Sequence, residues 1–115
     1  MSWHTLSANA YRRWLERLAL RYSGDGYTVE FLSHSAVKYV EHDRSITFSS
    51  EPFARTLSNG KTRWVLTVYI HYPLRWDDPN GGEITDADEE RAILSRLETA
   101  LKTKKGEYEI TPAAR

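Results

Sequence analysis

The sequence predicts an α+β fold: an antiparallel meander of four to six strands packed by an N-terminal and a C-terminal amphipathic helix. Three observations carry that expectation. Apolar residues recur at helical spacing near both ends of the chain, they alternate with a period of two between them, and an Asn-Gly pair separates two of the alternating runs. With 115 residues, 40% of them hydrophobic and 28% charged, the chain suits one folded domain over residues 1–115 and is too apolar for disorder. Two amphipathic helices bracketing a meander most simply cover one sheet face.

The first helix is expected over residues 7–22. Tyr11, Trp14, Leu15, Leu18 and Tyr22 form one face, and Ser7 or Asn9 is positioned to cap its start. Arg12, Arg13, Arg17 and Arg21 occupy the other face, with only Glu16 in reply. Ser23-Gly24 and Asp25-Gly26 then predict a stop and a turn. Alternation places strands at 27–33, 36–41 and 45–50, with His42-Asp43-Arg44 as a tight connection. Phe53–Leu57 and Trp64–Ile70 flank Ser58-Asn59-Gly60-Lys61, predicting strands over 53–58 and 62–71 joined by a two-residue turn, because Asn-Gly tolerates positive φ at both central positions. The second arm is apolar on both faces, which suits a central strand. Pro52 reads as a strand start, since proline donates nothing to a ladder.

Pro73, Pro79 and Gly81-Gly82 predict a loop, after which Thr85 opens a helix over 85–105 with Asp88 three residues on as a capping-box variant. Ile93, Leu94, Leu97 and Leu101 supply its buried stripe. Acids fill the first turns and Lys102, Lys104 and Lys105 crowd the end, an order that favours the helix dipole. Tyr108 and Ile110 close the pattern as a short strand over 107–110.

Charge is segregated. From Trp76 to Leu101 eight acids face only Arg91 and Arg96, a local charge of −6 in a chain whose formal net charge is zero. Such a segment presents a strong field to one partner without making the whole protein acidic. Absence of cysteine excludes disulfides, thiolate metal sites and cysteine nucleophiles, and fits a cytoplasmic location. No apolar run approaches the roughly 18 residues of a membrane span, and no basic-then-apolar secretory signal opens the chain.

No residue set announces a reaction. His34, His42 and His71 fall near turns without metal spacing, and Asp77-Asp78 and the acids from Asp86 to Glu90 lack the alternating order of a calcium loop. Neither a metal nor a cofactor is expected, and neither is a glycine-rich phosphate loop or a nucleophile elbow. Arg13, Arg17 and Arg21 at four-residue intervals fit a nucleic-acid backbone, with Trp3 or tyrosines to stack bases; net neutrality and the acidic segment argue against it. Trp76 has two readings: an indole folded back onto the sheet, or an interface anchor rimmed by acids.

From about Tyr39 onward the layout resembles small immunity proteins of bacterial polymorphic-toxin systems. The resemblance rests on Trp64 to Tyr72, Pro73-Leu74-Arg75-Trp76, Glu83-Ile84-Thr85, Glu89-Glu90-Arg91, Ile93-Leu94 and Glu107-Tyr108-Glu109-Ile110. The N-terminal helix has no counterpart in it. The resemblance implies a non-enzymatic protein that binds a cognate toxin domain and blocks it, with Trp76, Asp77, Asp78, Glu83 and Asp86 as the contact surface. A small adaptor or chaperone-like binding domain is the alternative, and a nucleic-acid module using the Arg12/Arg13/Arg17/Arg21 face a weaker one. If strand 45–50 or the terminal strand is a sheet edge, a partner strand can add there.

Overall fold

The computed structural model describes residues 3–18, 21–104 and 106–113, with side chains from residue 9 onward. Lys105 and the side chains of Trp3 and Ser7 lie outside that description. The elements run α1 (Trp3–Leu18), β1 (Arg21–Ser23), β2 (Tyr27–Ser33), β3 (Ala36–Glu41), β4 (Arg44–Thr56), β5 (Thr62–Ile70), α2 (Ala87–Lys102) and β6 (Tyr108–Pro112). They form one six-stranded sheet in sequential order, β1 to β6. The first five strands make the antiparallel meander; β6 joins β5 in parallel. A parallel neighbour needs a crossover, and the loop and α2 between β5 and β6 are that crossover.

Local expectations shift where pairing overrides propensity. The first helix begins at Trp3, ahead of both proposed caps, and stops at Leu18. Arg21, Tyr22 and Ser23 are drawn into β1 opposite Glu30, Val29 and Thr28, so Arg21 and Tyr22 belong to the sheet and not to the helix. The Asn-Gly turn is also different in kind. The Gly60 amide donates to the Leu57 carbonyl at 2.9 Å and the Leu57 amide to Lys61 at 2.7 Å, with Gly60 at φ +83°. This is a three-residue loop with glycine in the left-handed position, and Asn59 turns its side chain to accept the Lys61 amide at 3.0 Å. The helix cap moves one residue: Asp86, not Thr85, accepts from the Asp88 and Glu89 amides.

The two runs expected around Pro52 are one strand. β4 pairs with β3 through Arg44–Ser49 and with β5 through Ser50–Thr56. Its backbone alternates between sides: the Ser50 amide donates toward Ser35 on the β3 side, whereas the Thr47 amide points to the opposite side. Pro52 therefore turns its missing donor toward the edge that β3 has left, and the β5 ladder loses nothing.

Even-numbered residues of β4 and β5, with the odd-numbered ones of β2 and β3, face the helices. There Val29, Val37, Tyr39, Ile46, Phe48, Leu66, Val68 and Ile70 meet Trp14 and Leu18 of α1 and Ile93, Leu97, Ala100 and Leu101 of α2. Tyr11, Trp14 and Trp64 interlock with ring centroids 5.3–5.9 Å apart, fastening α1 to the start of β5. β5, expected as a central strand, lies next to last in the sheet, but it is paired on both sides and buried on both faces: Val65 to Val68 are all buried. On the opposite face Glu109 of β6 accepts from Thr67 at 2.6 Å and from Arg55, and these donors hold its carboxyl below the usual glutamate range.

Alternation puts the Glu51 amide on the β5 side, one residue before the harmless proline. Glu51→Pro should cost about 1–3 kcal/mol by orphaning a buried ladder carbonyl. Pro52→Ala should stay within about 1 kcal/mol. Urea midpoints of the two variants check the contrast.

Candidate functional site

The segment between β5 and α2 has no regular structure, yet it is tied down at every few residues. Leu74 and Ile84 are buried, and the Ile84 amide donates to the Leu74 carbonyl at 2.8 Å. Further out, the Trp76 amide reaches Gly82 at 3.0 Å and the Gly81 amide reaches Asp77 at 3.1 Å. Arg75 bridges Glu83 through backbone pairing and a 3.1 Å ion pair. Gly81 and Gly82 adopt φ +58° and +93°, a region that favours glycine and lets so short a path close.

Asp77 is the centre of this loop. Its amide donates to the Ser45 carbonyl at 2.8 Å, and its carboxylate accepts from the Thr47 amide at 3.2 Å, the Thr47 hydroxyl at 2.7 Å and the Ser45 hydroxyl at 2.9 Å. These are the groups of β4 that face the β5 side after β5 has ended. One aspartate thus takes the place of a neighbouring strand. His71 adds a 3.3 Å contact to Ser49, the next hydroxyl along the same edge.

Trp76 is in the core, 7% exposed. The Arg44 guanidinium lies 4.0 Å from its ring centre and also contacts Glu41 at 3.3 Å and Glu89 at 3.8 Å. Glu41 accepts from the Tyr39 hydroxyl at 2.7 Å and pairs with Arg96 of α2 at 3.3 Å. This cluster joins the β3–β4 turn to α2 and to the loop. Burial pushes the Tyr39 hydroxyl up to about 12.

Of the residues expected at a contact surface, Trp76 is turned inward and Asp77 is bound to β4. Glu83 is exposed and paired with Arg75, and Asp86 is exposed while capping α2. Asp78 is exposed and, among the described residues, makes no ion pair or side-chain hydrogen bond. Asp78, Glu83 and Asp86 share a loop-and-helix-start rim, which Asp88 extends. Missing from the sequence reading was the role of Asp77. Its only trace is Ser45 and Thr47, two hydroxyls at alternate positions of β4.

The arginine row is broken, because Arg21 leaves for β1; Arg12, Arg13 and Arg17 remain on α1. Of the histidines, His34 is exposed in the β2–β3 turn and its carbonyl accepts from Ser50, while His42 sits at φ 57° in the β3–β4 turn. Among the described residues no three histidines or carboxylates gather as a metal site, and no helix is long and apolar enough to cross a membrane. Of the edges considered for strand addition, 45–50 lies inside the sheet, paired with β3 on one side and met at Ser45 and Thr47 by Asp77 on the other, whereas β6 is the last strand of the sheet. Beside β6 a half-open cavity of about 510 Å³ is lined by Tyr72, Leu94, Leu101 and Ile110 among others.

The chain matches no protein-family model, no curated protein and no solved structure.

Asp77→Ala should lower stability by about 1–3 kcal/mol, since it strips acceptors from a β4 edge. Asp78→Ala, by contrast, should stay within about 0.5 kcal/mol. Equilibrium urea unfolding distinguishes them. Tyr39 also carries a pH signature. Its folded pKa lies above the ordinary 10.0, so its contribution is intact below pH 10 and lost as pH rises toward about 12. The urea midpoint should fall over that window, and less steeply in Tyr39→Phe.

Proposed function

We propose that this protein is a non-enzymatic binding protein of the immunity type, which captures a toxin domain and obstructs its site or its access to substrate. One observation carries the reading. A loop without regular structure is clamped to the sheet through Asp77 and displays Asp78, Glu83 and Asp86 outward on a fixed frame. Preorganisation matters because ordering a mobile loop on binding subtracts from affinity. A fixed acidic rim suits a basic partner, raising the association rate and rejecting acidic competitors. The resemblance of the 39–110 region to immunity proteins supports the same reading, and the −6 charge of the Trp76–Leu101 segment gives it an electrostatic basis.

In this reading Trp76 acts from within. It holds the loop against the core while the acids make the contact. The chain supplies no chemistry; it excludes the partner's substrate by occupying space and charge. A cytoplasmic setting fits a protein that guards its own cell, and the chain's lack of cysteine is compatible with it.

Co-expression with a cognate toxin domain, to be sought among the genes neighbouring this one, should restore growth to cells that the toxin otherwise kills, and the two proteins should co-purify. Replacing Asp78 and Glu83 by lysine should slow association about tenfold at low salt, with a smaller effect at high salt. Failure of rescue together with no complex by calorimetry would reject the immunity reading. Rescue with an unchanged association rate in the double variant would reject only the acidic surface.

A further inference from the structure

At the other end of β5 lies a cleft whose charge the fold does not use. Arg13 and Arg17, one turn apart on α1, face Arg63 near the start of β5, and Glu107, just before β6, completes the polar wall. Trp14 and Trp64 form the apolar part of the lining, and the cavity measures about 270 Å³. Three guanidiniums meet one carboxylate there, a net charge of +2. Arg17 touches Glu107 at 3.6 Å with its own side chain 60% exposed. Arg13 and Arg63 have no carboxylate within ion-pair distance among the described residues. Trp14 is 1% exposed, and its indole N–H is the one buried side-chain donor among the described residues without an acceptor. With Arg13 and Arg63 outside any ion pair among the described residues and a surplus of positive charge, the cleft is suited to an anion.

We propose that this cleft binds a phosphate dianion, either free or as a monoester. Arginine keeps its charge at every physiological pH, and its planar fork matches phosphate oxygens in pairs. A singly charged carboxylate would leave half of the +2 charge unanswered and offers two oxygens; a phosphate monoester offers three and approaches −2 near neutral pH. The interlocked Tyr11, Trp14 and Trp64 rings fix α1 against β5, so the backbones that carry the arginines of the two elements are held side by side. The volume admits the phosphoryl group and a small substituent. It falls just short of the ordinary range for drug-sized ligands, roughly 300–1,000 Å³. Glu107 pairs with Arg17 and limits the charge of the cleft. This site is independent of the proposed protein-binding surface, since β5 separates the two by about 25 Å at the usual strand rise.

The experiment is a titration of the whole protein at constant ionic strength, followed by tryptophan fluorescence and calorimetry, with inorganic phosphate, a nucleoside 5′-monophosphate and sodium chloride as separate arms. Saturable one-to-one binding of phosphate or the monophosphate, without a chloride response, is expected; whichever binds more tightly identifies the free ion or the ester as the source. Arg63→Gln and Arg13→Gln should each weaken it about tenfold or more, the loss of one charge-assisted hydrogen bond. Arg12→Gln, exposed on the same helix outside the cleft, should change nothing, and Glu107→Gln should tighten binding. Affinity for the monophosphate should fall between about pH 7.5 and about pH 5, as the monoester dianion is protonated near pH 6. No saturation by about 10 mM of either phosphate in the wild-type protein overturns the proposal. An equal loss in Arg12→Gln, or an equal response to chloride, overturns it as well. The wild-type titration decides the matter even if an arginine variant does not fold.

Discussion

A single carboxylate lets β4 change partners. The strand spans thirteen residues, pairing with β3 over its first half and with β5 over its second. Because β5 ends at Ile70, the backbone of Ser45 and Thr47 would otherwise face solvent as an open edge beside buried Ile46 and Phe48. Asp77 closes that edge with its amide and both carboxylate oxygens. An unpaired stretch in the middle of a sheet invites water into the core and invites foreign strands, so the closure protects folding and specificity together. The Pro52 edge on the other half of the same strand is handled in the opposite way, by having no donor to offer.

Much of the remaining architecture depends on where that closure puts the chain. Asp77 holds the loop over β4, which sets Trp76 into the core and brings Leu74 and Ile84 together. From there Asp86 starts α2 beside the sheet, and Arg96 finds Glu41 and Tyr39 across the gap. The helix then delivers the chain to the free side of β5, where β6 adds in parallel. The acids of this region divide accordingly. Asp77 and Asp86 serve backbone amides, Glu41 and Glu89 receive Arg44, and the acids left at the surface are concentrated on the loop tip and the first turn of α2. Concentration of charge at the protein surface is therefore a by-product of closure that binding can exploit.

The helices and most strands were legible because their signals are local. Trp14 and Leu18, or Ile93 and Leu97, repeat at the spacing of a helix face, and Tyr27 to Phe31 alternates as a half-buried strand must. The failures share one cause, a partner distant in sequence. Arg21-Tyr22-Ser23 continues a helical pattern, yet pairing with Thr28–Glu30 claims it. Pro52 reads as a boundary until the register shows which way its nitrogen points. Of the two readings of Trp76 the fold takes the inward one, and Asp77 looked like a surface residue because a proline-bounded loop with two aspartates is usually solvated; what holds it on β4 lies thirty residues upstream. Arg63 and Glu107 drew no notice, since neither belongs to a local motif, and only the fold brings them beside Arg13 and Arg17.

By itself, then, the sequence determined the class of fold, the two helices bracketing a run of strands, the burial of β5 on both faces and the segregation of charge. Each of these follows from periodicity or composition, which are properties of neighbouring residues. Tertiary structure alone decided the parallel seat of β6, the switch of β4 from one partner to the next, and the division of the acids between structural and exposed roles. Those outcomes turn on hydrogen bonds between groups far apart in the chain, where a carboxylate at one position satisfies amides and hydroxyls at another. The stretch from Trp76 to Leu101 carries its charge in the sequence; which of its acids face outward was fixed by the edge of β4.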